Sequence, residues 1–241
     1  MKPKKRAVGV SKAERRLVGA LVRGLAHDKF LPSGTVYRLE LDCTQGIADV
    51  VTACPNGHAF LPAAATHAKL KGFSLSTAKI LSALRGKRIS CFEELETKTG
   101  LSRETVRSQL RVLERLAIIE HSRNKLIRLN HPVRSPFKEI FAYEVKVKDW
   151  KSGLRQARSY RSFAHRAVLV LPLERLDSLR KQRQVFKRFN VGLLGVGKHG
   201  DLKWLYKPKK TEPISLPRTL IASVDLMRGR PLWKVRSGRP L

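Results

Sequence analysis

The chain has 241 residues, room for one α/β domain of ordinary size and a small helical module beside it. It carries 50 Lys and Arg against 19 Asp and Glu, a formal charge of +31, which repels itself and attracts polyanions; 42% hydrophobic residues exclude a disordered chain. No run approaches the ~20 apolar residues of a membrane span, and no lipidation signal or strongly apolar helix accompanies the charge, so nucleic acid rather than a membrane is the expected partner.

The opening Met1-Lys2-Pro3-Lys4-Lys5-Arg6 is followed by no secretory hydrophobic region and reads as a solvated basic tail over 1–10. The three cysteines are odd in number and widely spaced, which fits a reducing cytoplasm. Thr35 to Asp42 reads as a strand, and a turn at Gln45-Gly46 leads to a second, Ile47 to Ala53. Asp49 is the one charge in that apolar run, and a carboxylate there is costly unless it is paired or holds a metal. An Asp capping a neighbouring loop is the plainer alternative. Cys54-x3-His58, with Cys43 and His67 nearby, matches no common zinc module, so isolated thiols and imidazoles are expected there.

Ser76 to Arg85 is an amphipathic helix that Gly86 is placed to stop. A short helix follows around Phe92 to Lys98. The turn Thr99-Gly100-Leu101-Ser102 then leads to a third helix, Arg103 to Ala117, with Ser102 as its N-cap. Val106, Leu110, Leu113 and Ala117 share one face; Arg107, Ser108, Arg111 and Arg115 share the opposite one. Ile118 to His121 and Lys125 to Leu129 read as a two-stranded wing joined by Ser122-Arg123-Asn124. This stretch resembles a winged helix-turn-helix. The resemblance implies a DNA contact set of Arg103, Arg107, Ser108, Arg111 and Arg115, with Arg123 and Lys125 on backbone phosphates. A module that docks protein instead is the alternative.

Phe141 to Val147 is strand-like, so Glu144 and Lys146 project side by side while Val145 and Val147 point the other way. A carboxylate beside an ammonium on one strand face can hold a divalent metal and polarise a water or a phosphate oxygen. A surface ion pair is the plain reading of the same two residues. Lys151 to His165 reads as a helix, with Leu154, Ala157, Tyr160 and Ala164 along one side and Gln156 four residues before Tyr160. Ala167 to Pro172 suits a buried strand, Leu173 to Asn190 a charged helix, and Val191 to Val196 a strand paired with Leu202 to Tyr206. Beyond Lys207 the Pro- and Arg-rich sequence reads as a loose tail with a helical patch near Leu216–Met227.

The ordered set Glu14, Gly46-x-x-Asp49, Glu144-x-Lys146 and Gln156-x-x-x-Tyr160 resembles the PD-(D/E)xK nuclease superfamily in its RecB-type and restriction-endonuclease-like forms. The resemblance covers roughly 11–53 and 137–206, and the fold it implies is an αβββαβ core with a mixed sheet. About 90 residues separate Asp49 from Glu144, where a short loop would be usual, so the winged helix is expected as an insertion. The implied plan is a basic tail over 1–10, a core split between 11–70 and 133–210, an insert over 71–132, and a basic tail over 211–241.

What the resemblance implies is a DNA endonuclease dependent on Mg²⁺ or Mn²⁺, with Asp49 and Glu144 as metal ligands and Glu14 reaching the metal through water. Lys146 would act on the attacking water, and Gln156 and Tyr160 would line the site. Glu40 and Asp42 are rival carboxylates of lower rank. Cutting both strands of a duplex implies a homodimer, a larger nucleoprotein complex or two encounters. Two other readings stay open: a DNA-binding regulator or architectural protein on a nuclease scaffold, and a structure-specific or RNA-directed nuclease.

Overall fold

The computed structural model describes residues 11–28, 30–42, 46–56, 73–85, 91–121, 126–130 and 132–232. Helix α1, Lys12–His27, starts at a capping box: Ser11 accepts from the Glu14 amide, and the Glu14 carboxylate accepts from the Ser11 amide. Strands β1, Val36–Asp42, and β2, Ile47–Pro55, form an antiparallel pair. Between β2 and the next strand of the same sheet come α2 (Leu75–Leu84), α3 (Phe92–Thr99), α4 (Arg103–Arg115) and a small hairpin of β3 (Ile119–His121) and β4 (Ile127–Leu129). Then follow β5 (Phe137–Val145), α5 (Trp150–Ser159), β6 (Arg166–Pro172), α6 (Arg183–Phe189), β7 (Val191–Val196), β8 (Leu202–Tyr206), α7 (Leu216–Leu226) and a two-residue β9 (Arg230–Pro231).

The main sheet is mixed and seven-stranded, in the order β8-β7-β6-β5-β2-β1-β9. β5, β6 and β7 run parallel and the other pairings are antiparallel. Alternation on β5 sorts its side chains: Phe141, Tyr143 and Val145 pack under Leu17, Leu21 and Leu25 of α1, while Ile140 and Ala142 pack on the opposite face. That second face is covered by α5, α6 and α7. The chain is therefore a mixed α/β protein in three layers. Among the described residues no helix is long and apolar enough to cross a membrane.

The segment between β2 and β5 has its own core, built on Ile80, Leu81, Leu84, Leu95, Val106, Leu110, Leu113, Ile119 and Ile127. Gly100 closes α3 with φ 60°, the left-handed cap that favours glycine. Helix α7 belongs to two cores at once. Leu220, with Leu216 and Ile221 beside it, packs into the core of this segment, whereas Ala222 and Leu226 pack under the main sheet. The stretch expected to be a loose tail thus holds its helix where the pattern put it, and the helix is buried between the two.

Three helices differ from expectation. α4 stops at Arg115, and Ala117, expected on its buried face, is exposed with φ 54°. α5 stops at Ser159 and tightens into a 3-10 turn over Tyr160–Ser162, with the Phe163 and Ala164 amides both donating to the Tyr160 carbonyl. The expected helix 173–190 is two 3-10 turns, Leu173–Arg175 and Asp177–Gln182, before α6. The reason lies in spacing. Leu173, Leu176 and Leu179 recur every three residues and so align on a helix of three residues per turn.

Candidate functional site

The β2–β5 ladder ends at Val50 opposite Tyr143. One more step of that register would set Asp49 against Glu144. On the other side, the β1–β2 ladder pairs Leu39 with Val50 and Leu41 with Ala48, skipping Glu40 opposite Asp49. Glu40 adopts φ 52°, a left-handed backbone that a non-glycine residue rarely takes. Here the strand pair turns over: Tyr37 and Val50 lie in the core under α1, but Leu41 and Ala48 lie in the core on the opposite face. An irregularity of this kind re-aims a side chain. Asp49 is left reaching across to β5, where its Oδ2 accepts from the Val145 amide at 2.8 Å. The carboxylate supplies the acceptor that the interrupted ladder does not.

Glu144 falls on the α5 side of β5 and its side chain is only 3% exposed. Its Oε1 lies 2.7 Å from Lys146 Nζ, and its Oε2 accepts from the Tyr160 hydroxyl, which also stands 2.9 Å from the Ile47 carbonyl. Burial pushes the Glu144 carboxyl up from its ordinary value and the Asp49 charge adds to this; the Lys146 and Tyr160 contacts pull the other way without cancelling it. Burial alone would lower Lys146, but the hydrogen bond and charge of Glu144, reinforced by Asp49 and Glu14, raise it. Lys146 therefore holds its proton firmly.

Helix α5 reaches Lys146 through Gly153. A Cβ built there would stand 2.8 Å from Lys146 Cγ and 2.5 Å from Leu169 Cδ1, so only glycine lets the helix lie this close to the lysine stem. Neither Gly153 nor the Val145 amide stood out in the sequence. A glycine in the first turn of a strong helix pattern is the signal for the former, since it weakens the helix unless close packing requires it.

Four of the expected site residues, Asp49, Glu144, Lys146 and Tyr160, are thus brought together at the ends of β2 and β5. Gln156 is exposed on α5, whereas Tyr160 is buried in the turn that ends the helix, so the two do not share a face. Glu14 sits in its capping box at the start of α1, where its charge is felt by Lys146. The rivals Glu40 and Asp42 are exposed. Among the described residues no three His, Cys, Asp or Glu side chains form a metal-ligating group. Cys54 is buried against the Thr35 hydroxyl, and Cys43, His58 and His67 lie outside the described residues.

On α4, Arg103, Arg107, Ser108, Arg111 and Arg115 are all exposed, opposite buried Val106, Leu110 and Leu113. Arg103 stacks 5.4 Å from the Phe92 ring centroid and lies 3.9 Å from Glu93, and Arg115 Nε donates to the Arg111 carbonyl. Gln109 is structural: its Oε1 accepts from Thr77 Oγ1 at 2.5 Å and ties α4 to the start of α2. Arg123 and Lys125 lie outside the described residues.

The fold and cluster together define an α/β protein with a buried acid–lysine–tyrosine site at the end of a mixed sheet. No family model, curated protein or solved structure matches the chain.

Proposed function

We propose that the protein is a DNA-binding endonuclease that hydrolyses phosphodiester bonds with a divalent metal, Mg²⁺ or Mn²⁺. The observation that carries this is the cluster itself: two buried carboxylates on neighbouring strands, one of them 2.7 Å from a lysine that stays charged. The element order supports the reading, since α1, β1, β2, β5, α5 and β6 follow as αβββαβ once the intervening segment is set aside.

The donor set fits the metal. Mg²⁺ keeps several waters and is bound by one or two carboxylates, which Asp49 and Glu144 would supply, whereas a closed zinc cage needs more ligands than this site offers. The metal, when bound, polarises a phosphate oxygen and activates a water. Lys146, holding its proton against Glu144, serves as a donor and a fixed positive charge toward the developing charge on phosphate, not as the proton acceptor. Tyr160 fixes the Glu144 carboxylate. Glu14 adds negative charge at the rim.

We read α2, α3, α4 and the β3–β4 hairpin as a winged helix that positions duplex DNA, with the exposed cations of α4 toward the phosphates. A second reading rests on one specific observation: both Glu144 oxygens already have partners in Lys146 and Tyr160, as in a self-satisfied structural cluster. In that case the protein is a DNA-binding regulator or architectural protein.

Incubation of plasmid, linear duplex and single-stranded DNA with Mg²⁺, Mn²⁺ or EDTA separates the two. Metal-dependent cutting that Lys146→Ala abolishes, with DNA affinity kept, is the expected result. Tight binding without cutting under either metal would sink the nuclease reading in favour of the regulator.

A further inference from the structure

A groove of about 740 Å³ runs between α1 and the far ends of β5, β6 and β7. Its cations come from two walls: Lys12, Arg15, Arg16 and Arg23 from α1, and Lys198 from the turn after β7, with Glu174 the one carboxylate among the described lining residues. All five cations are exposed, and Arg23 Nη2 donates to the Lys198 carbonyl at 3.3 Å, tying the walls together. The floor is apolar, formed by Leu17, Ala20, Val147 and Val196.

Two residues link the groove to the cluster. Val147, which lines the groove, follows Lys146 just after β5 ends at Val145, while Glu14, whose charge reaches Lys146, lies between groove residues Lys12 and Arg15 on α1. Groove and cluster thus lie at the same end of β5, on opposite sides of the sheet, with the charge of Glu14 reaching from one to the other.

We infer that this groove holds the phosphodiester backbone of one nucleic-acid strand and leads it past Lys146, an inference that rests on the nuclease reading and names the substrate-binding track of that same site. Its size is that of a small-molecule cleft. It takes a short stretch of one strand, whereas a duplex-binding module buries about 600–2,500 Å² of protein surface, far more than a cleft of this size presents. Cations on both walls match a backbone passing between them, and a lining without aromatic side chains among the described residues points to phosphate contacts rather than base stacking. The groove therefore takes single strands without regard to sequence, while duplex affinity resides on α4.

The test uses the full chain in EDTA, so that no cutting intervenes, with labelled oligothymidylate, oligouridylate and a duplex titrated at several salt concentrations. In the variant Arg15→Ala/Arg16→Ala/Lys198→Ala, affinity for both single strands falls at least about tenfold and the salt slope drops by about 2, one phosphate contact for each lost cation. Duplex affinity falls less. On the wild type, bound oligothymidylate shields Arg15 and Arg16 from modification by phenylglyoxal, a readout that needs no variant to fold. Single-strand affinity and slope equal to wild type, or arginines modified as fast with strand as without, would overturn the groove. A protein that binds strands here yet never cuts would instead overturn the nuclease reading and leave the groove standing.

Discussion

Gly153 and Lys146 are in contact across the α5–β5 interface: the helix backbone at Gly153 rests on the lysine stem, with no room for a Cβ. The lysine is thus held from below by α5 and at its tip by Glu144. Gly153→Ala should gain about 1 kcal/mol in helix propensity and lose a similar or larger amount by overpacking. The melting temperature therefore stays the same or falls modestly, and Lys146 is displaced. Cleavage should fall by more than the stability change explains; a variant that melts and cuts like wild type would show that this contact does not position the lysine.

Asp49 has a structural duty that can be separated from its charge. Its Oδ2 accepts the Val145 amide. Asp49→Ala leaves that buried donor without its partner and should cost about 1–3 kcal/mol, whereas Asp49→Asn keeps a carbonyl acceptor and stays close to wild-type stability. With Mg²⁺ added, the wild type should gain melting temperature by mass action and Asp49→Asn should not. Equal Mg²⁺ responses in the two would argue against Asp49 as a ligand.

His165 sets an acid limit. Its Nδ1 accepts from the Ile140 amide at 3.1 Å, a role that requires the neutral ring. Burial lowers its pKa from 6.5, and the charges of Lys210 and Arg166 act in the same direction, against Glu212 and Glu139. The folded state then binds fewer protons than the unfolded chain, so stability is full above 6.5 and is lost as pH falls below it. Thermal unfolding across that range should show the loss, and His165→Asn, which keeps an acceptor that cannot titrate, should flatten it.

The exposed face of α4 predicts a salt signature. Arg107→Ala with Arg111→Ala should weaken duplex binding and reduce its salt slope by about 2. Unchanged duplex affinity would show that α4 is not the reader. Gln109→Ala, by contrast, should lower the melting temperature with a smaller change in slope, because Gln109 is tied to Thr77.

Local pattern carried much of this fold. The runs at 47–53, 167–172 and 191–196 read as strands because valine, isoleucine and leucine dominate them, with Asp49 the one charge, and the alternation at 141–147 already put Glu144 and Lys146 on one side. The α4 stripe was equally plain. What escaped was set by partners distant in the chain. Nothing local says that Glu40 takes a left-handed backbone and turns Asp49 toward β5, that Gln156 faces solvent while Tyr160 turns inward, or that a groove forms where α1 meets the turn after β7. The cations at 12, 16 and 23 are spaced as a helical stripe, which by itself reads as a solvated face; only the second wall makes it a groove.

Helix α7 brings a consequence for how the molecule comes into being. Leu220 closes the core around α2 and α4, and Ala222 and Leu226 close the one beneath Asp49 and Glu144. During synthesis the α4 segment leaves the ribosome long before residues 216–226, so it waits with part of its apolar surface open. When α7 arrives it seals both at once. The exposed face of α4 and the cluster of Asp49, Glu144 and Lys146 then mature in a single event, and a nascent chain cannot complete one without the other.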